Sequence, residues 1–148
     1  MSIGLRKLTT KKEVDRAIKG TIDKVLVLRF GEEADCLRID DILSKAAPLL
    51  SRMAEVYAVE PHSVPVYTSY LDVTITPATV FFFNGQHIKI ESDRGADHTK
   101  FVGCFRTKQD VIDLVEVVYR GAMRGKLVVS CPIDPAHMPQ YDLLYMGI

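Results

Sequence analysis

One cysteine carries whatever thiol chemistry the N-terminal half of this chain could perform. Cys36 lies in LRFGEEADCLRID, residues 28–40: an apolar stretch, a break at Gly31, the cysteine, then an amphipathic pattern. Dithiol exchange needs two sulfurs, one to attack and one to resolve the mixed disulfide. Active pairs of that kind stand as Cys-x-x-Cys. Here Ala34 and Asp35 precede Cys36, and Cys104 and Cys131 are far away in sequence. A helix N-terminus would favour a thiolate at Cys36. Glu32, Glu33 and Asp35 would oppose it. The residue types therefore leave a packed thiol, or a one-cysteine sensor acting through mixed disulfides.

The other titratable groups are dispersed. His62, His87, His98 and His137 share no metal-ligand spacing with each other or with the cysteines, so no zinc signature exists and no cofactor is expected. Asp40 and Asp41 are adjacent, and neighbours on a helix diverge by about 100°, so they make a poor acid–base pair. Arg120, Arg124 and Lys126 cluster at the end of a helical pattern. Cations there meet the negative end of the helix dipole, which accounts for them energetically. They also form a candidate contact surface for an acidic partner. The last residues, 138–148, read MPQYDLLYMGI. Their Tyr141, Leu144 and Tyr145 are candidates for docking on the domain itself or on a partner.

Composition narrows the class. The chain has 148 residues, 47% hydrophobic and 26% charged, which suits one globular domain, with 131–148 as its C-terminal tail. Nineteen basic and nineteen acidic residues balance. That excludes a broad nucleic-acid surface, although a local basic patch stays open. No apolar run reaches the ~20 residues of a membrane span, and no signal-peptide pattern opens the chain. A cytosolic or nuclear setting is the default. Three cysteines without regular spacing make no disulfide framework.

The elements that would position these residues follow from periodicity. Thr10-Lys-Lys-Glu13 is a capping box opening a helix over 10–19 with Val14, Ala17 and Ile18 on its apolar side. KVLVLRF, 24–30, reads as a buried strand ending at Gly31. Residues 36–53 repeat Ile39, Ile42, Leu43, Ala46, Leu49, Leu50 and Met53 at helical spacing, with a kink or restart required at Pro48. EVYAV, 55–59, is a second strand, and a short helix should open near Pro65. TVFFFN, 79–84, and QHIKIE, 86–91, form a hairpin around Asn84-Gly85. Alternation along a strand prevents the rings of Phe81, Phe82 and Phe83 from sharing one face. Residues 92–100 read as a polar loop. Residues 107–122 form the best helix in the chain, capped by Thr107 and Asp110 in the capping-box manner. Lys108, Asp110, Asp113, Glu116 and Arg120 fall on its wet side, with Val111, Ile112, Val115, Val118 and Tyr119 inward. KLVVS, 126–130, could add a short strand. The order is α-β-α-β-α-β-β-α, an α/β arrangement of the thioredoxin kind: a central mixed β-sheet flanked by helices.

Several stretches together resemble one family. They are KKEVDRAI (11–18), KVLVLRFG (24–31), IDDILSK (39–45), TVFFFNGQHIKI (79–90), DHTKFVG (97–103), VVYRGAMRGKLVV (117–129) and PIDP (132–135). They span almost the whole chain and resemble the Dim1/Dim2 family of thioredoxin-like spliceosomal proteins, most of all its Dim2 branch. The resemblance implies a nuclear thioredoxin-like fold needed for pre-mRNA splicing and linked to cell-cycle progression. It implies protein–protein contacts with U5 snRNP components, notably a protein of the Prp6 type, and a homodimer. No enzymatic activity, membrane association or direct nucleic-acid contact is expected. It places Cys36 at the resolving position of a vestigial redox site that lacks its attacking cysteine. It also makes Thr76–Pro77 a candidate cis peptide, since an X-Pro bond has only a small trans preference. Relatives have a longer segment, usually with Asp-Pro, where this chain has FGEEADC (30–36), so contacts of that loop do not carry over. The alternative function is a single-cysteine redox sensor or oxidoreductase using Cys36.

Overall fold

In a computed structural model, which describes residues 4–92 and 99–139, the strand patterns assemble into one mixed sheet. The elements are β1 (Arg6–Leu8), α1 (Lys11–Gly20), β2 (Val25–Phe30), α2 (Leu37–Ala46), β3 (Ala54–Val59), α3 (Pro65–Tyr70), β4 (Ala78–Phe83), β5 (Gln86–Glu91), β6 (Phe101–Val102), α4 (Lys108–Met123) and β7 (Val128–Ser130). Sheet order is β1-β3-β2-β4-β5-β7, with β6 beside β4. Strands β1, β2 and β3 run parallel, β4 is antiparallel to β2, β5 and β6, and β7 is parallel to β5.

Alternation along the central strands splits the interior in two. Val25, Val27, Phe81 and Phe83 point into a core completed by Ile39 and Leu43 of α2 and Leu114 and Val118 of α4. Leu26, Leu28, Phe30, Val80 and Phe82 point the other way, against Val14 of α1 and Val64 and Leu71 flanking α3. The three consecutive phenylalanines thus divide between the two cores.

Local chemistry fixes the element ends. Thr10 and Glu13 form the reciprocal capping box at α1. Asn84 and Gly85 both have positive φ, 49° and 83°, as a tight hairpin turn demands. Asn84 also ties this turn to the entry of β2: its Oδ1 accepts the Asp23 amide at 2.6 Å, and its Nδ2 donates to Asp23 Oδ1 at 3.0 Å.

Four expectations need correction. The helical pattern over 36–53 ends as α-helix at Ala46 and continues as a 3₁₀ turn, Ala47–Leu50, around Pro48. With ~3.0 residues per turn instead of ~3.6, the phase rotates, and Leu49 lies 61% exposed while Leu50 is buried. Two strands escaped the periodicity, β1 and β6, because runs of three and two residues show no period. Asp110 is not on the wet side of α4. It is buried, 7% exposed, against His137, whose Nδ1 lies 3.0 Å from Asp110 Oδ2. The Thr107 cap is accordingly one-sided: Thr107 Oγ1 accepts the Asp110 amide at 3.1 Å, and the Asp110 carboxylate turns to His137.

Candidate functional site

The end of the sheet that carries Cys36 is built where β2 stops. Gly31 follows the strand, Glu33–Asp35 make one 3₁₀ turn, and Cys36 takes the N-cap of α2 without a side-chain capping bond. The thiol is fully enclosed. Burial, first, pushes the Cys36 thiol above its ordinary value; the Arg29 charge pulls the other way, while Asp40 and Asp35 push up. Desolvation therefore outweighs any benefit from the helix terminus. Gly31 has the reason for its identity here. A Cβ at residue 31 would sit 2.5 Å from Cys36 Sγ and 3.6 Å from both Arg29 Nη1 and Pro77 Cα.

Beside the cysteine lies a charged group in a fully buried strand. Arg29 is 1% exposed. Its guanidinium donates through Nε to Asp40 Oδ1 at 2.7 Å, through Nη2 to Asp40 Oδ2 at 2.6 Å, and through Nη1 to the Gly31 carbonyl at 2.7 Å. This fork-to-fork geometry is the strong form of an Arg–carboxylate pair. It cross-links β2, α2 and the Gly31 turn. Asp41, one residue on, faces outward to Lys45 at 2.9 Å, so the two aspartates diverge as helix geometry requires.

The opposite wall is the loop before β4. The Thr76–Pro77 peptide is cis, and the Pro77 carbonyl accepts the Gly103 amide at 2.8 Å. Thr79 stands directly across from Arg29 in the β2–β4 register. Its hydroxyl is buried and has no hydrogen-bond partner among the described residues. Cys104, next to Gly103, is half-buried and donates to the Phe105 carbonyl at 3.2 Å. Burial also raises its pKa. All three cysteines are free thiols.

The sequence-selected basic residues lie elsewhere, at the far end of α4. Arg120 pairs with Glu116 at 2.9 Å in an exposed i,i+4 bridge. Arg124 is the C-cap and Lys126 follows Gly125; both are exposed. Met123, Leu127 and Val128, 55%, 47% and 42% exposed, stand beside them in the chain. This end of α4 is held tightly to β7, since a Cβ on Gly121 would come within 2.5 Å of Val129 Cγ1. Tyr141, Leu144 and Tyr145 lie outside the described residues.

Residue type singled out Cys36 and the family resemblance Pro77, and the fold brings both to Gly31. Arg29 and Thr79, which complete the same cluster, were passed over, and Asp40 was weighed only as half of an acid–base pair with Asp41. The available signal was the lone arginine in KVLVLRF, because a charge in a buried strand must find a partner.

Residues 4–135 match the family described as Mitosis protein DIM1. The chain belongs to the DIM1 family. Across its whole length it is 63% identical to mouse Thioredoxin-like protein 4B, covering all of that protein. It is 29% identical to Spliceosomal protein DIB1 of Saccharomyces cerevisiae, over 92% of this chain and 96% of the yeast protein. Among solved structures, chloroplastic thioredoxin z superposes with a TM-score of 0.62 at 18% identity, over 82% of this chain and 99% of the other. That likeness shows the thioredoxin fold alone. This DIM1-family chain has a cis peptide at Thr76–Pro77 and a cysteine at the N-cap of α2, with the Arg29–Asp40 pair close to that cysteine and no second thiol at Cys-x-x-Cys spacing.

Proposed function

We propose that this chain is a non-catalytic, single-domain thioredoxin-fold adaptor of the nuclear spliceosome, acting in pre-mRNA splicing and linked to the cell cycle. Its partner is a U5 snRNP protein of the Prp6 type, and it self-associates as a homodimer. The observation that carries the non-catalytic reading is the enclosed Cys36. A thiolate must be both formed and reachable to attack a disulfide, and Cys36 is neither favoured as an anion nor exposed. The names borne by the family, a mitosis protein and spliceosomal proteins, support the cellular setting.

The contact surface we assign is the end of α4 with the strand that follows: Arg120, Arg124 and Lys126, interleaved with Met123, Leu127 and Val128. A mixture of Arg and exposed apolar groups is what protein interfaces favour at their centres. Tyr141, Leu144 and Tyr145 extend this proposal.

The test is capture of U5 snRNP proteins from nuclear extract by the tagged chain, with and without nuclease. Comparison with Cys36→Ser and with Arg120→Glu/Arg124→Glu separates the readings. Capture that survives nuclease, ignores Cys36→Ser and falls with the double charge reversal is expected. A reducible mixed disulfide through Cys36, lost in Cys36→Ser, would replace the adaptor by a thiol sensor.

A further inference from the structure

A row of exposed cations lies on α1. Lys12, Arg16 and Lys19 are all exposed. At positions i, i+4 and i+7 they fall within about 60° of one another around the helix axis and span ~10 Å along it. They line one side of a shallow depression of about 410 Å³, together with Asp15 and Gly20. Arg16 also lines a second depression, of about 230 Å³, between α1 and the sheet edge. Arg6 of β1 stands in that second depression, with its guanidinium 5.5 Å from the centre of the Tyr57 ring.

None of these four cations forms an ion pair among the described residues. The neighbouring carboxylates are engaged internally. Asp15 accepts Lys11 Nζ at 2.8 Å and also the Tyr67 hydroxyl. Glu13 accepts the amides of Thr9 and Thr10 at 2.9 and 3.1 Å. Glu55 accepts the Tyr57 hydroxyl at 2.9 Å. These three carboxylates stay anionic, but Arg6, Lys11, Lys12, Arg16 and Lys19 outnumber them, so the balanced total charge of the chain conceals a local excess of two positive charges.

We propose that Lys12, Arg16 and Lys19, extended by Arg6, form a contact site for the sugar–phosphate backbone of RNA. Two features favour a phosphate backbone over an acidic protein. No apolar side chain lines the outer depression, so it lacks the anchor that protein hot spots are built around. By contrast, the end of α4 interleaves its cations with Met123, Leu127 and Val128. Backbone phosphates need only well-placed cations. With a rise of ~3.4 Å per nucleotide along one strand, a ~10 Å stripe covers about three phosphates, and Arg6 adds a fourth. Stacking is not part of the site, because the Tyr57 ring already faces Arg6. Binding is thus independent of base identity, and it goes beyond the protein contacts of the adaptor.

The experiment is fluorescence anisotropy of labelled twelve-nucleotide oligouridylate and oligoadenylate with the full chain, at 50 and 200 mM salt. Four neutralised phosphates on a single strand give a log–log salt slope of about −3, or roughly a fifty-fold loss of affinity over that range. Lys12→Ala/Arg16→Ala/Lys19→Ala should reduce the slope to about −1 and weaken binding more than tenfold at 50 mM. Lys45→Ala, an exposed cation on α2 outside the stripe, should leave RNA affinity within twofold. A thermal melt of each variant checks folding, and Lys12→Gln/Lys19→Gln supplies a milder variant with an intermediate slope. Absence of binding at 50 mM salt, affinity unchanged in both α1 variants, or a strong preference between the two oligonucleotides would overturn the proposal. Capture of a polyglutamate peptide by α1 in place of either RNA would assign the stripe to a protein.

Discussion

Arg29–Asp40 and Arg120–Glu116 are both arginine–carboxylate pairs with short contacts, 2.6 and 2.9 Å, yet they sit in opposite settings. The first has side chains 2% and 22% exposed; the second has 70% and 40%. In the first, all three donors seen on the guanidinium meet acceptors on two different elements. In the second, one turn of one helix holds both partners. Identical chemistry therefore acts as a structural cross-link in one place and as a solvated surface in the other. The difference teaches where the molecule tolerates change. Around Cys36 the packing is closed and charge is held inside. At the end of α4, charge is free to meet a partner.

The largest expected effect comes from breaking the buried pair on one side. Asp40→Ala leaves the Arg29 charge enclosed without its partner and should cost about 3–5 kcal/mol. For a domain of this size that lowers Tm by roughly 10 °C, read by calorimetry. Arg29→Met/Asp40→Leu removes both charges and should be clearly more stable than Asp40→Ala. If it is not, geometry rather than uncompensated charge governs the site. Next comes Gly31→Ala, whose Cβ would strike Cys36 Sγ. A loss of about 1–3 kcal/mol is expected from overpacking, with partial recovery in Gly31→Ala/Cys36→Ala. Equal loss in the single and double variants would place the strain elsewhere. At the exposed pair, Glu116→Ala should cost only about 0.3–0.5 kcal/mol, close to the limit of a urea titration.

Two further measurements sharpen the contrast between closed and open regions. In the native protein a thiol reagent should modify Cys104 and Cys131 well before Cys36, which should react only on unfolding. Rapid native labelling of Cys36 would reopen the sensor reading. Tyr67 offers a pH signature. Burial, followed by its hydrogen bond to Asp15, pushes its phenol up to about 12, against ~10 in an unfolded chain. A raised folded pKa means the stabilising contribution is complete below pH ~10 and is lost as pH rises through that window toward 12. Tyr67→Phe should flatten this part of the stability profile, measured by melts between pH 9 and 11.5.

Much of the fold was legible because its patterns are long. The alternating and apolar runs of β2, β4 and β5 and the capping box of α1 state their periods openly. Helix α4 was legible in extent, but Asp110 showed how a polar residue on a helix can be drawn inward by one partner 27 positions away. The candidate site was only half legible. Cys36 and Pro77 are conspicuous residue types, whereas Arg29 and Asp40 acquire meaning only when β2 and α2 are packed together.

The sequence by itself determined that Cys-x-x-Cys chemistry is absent, that two cores must lie on opposite faces of the central strands, and that charge balances overall. Those conclusions rest on local facts: residue identity, a period of two, and counting. The tertiary structure alone decided that Cys36 is sealed, that Arg29 is neutralised by Asp40, and that Arg6 joins the cations of α1 on one face. These depend on which strands become neighbours, and burial and Coulomb interaction act through space rather than along the chain.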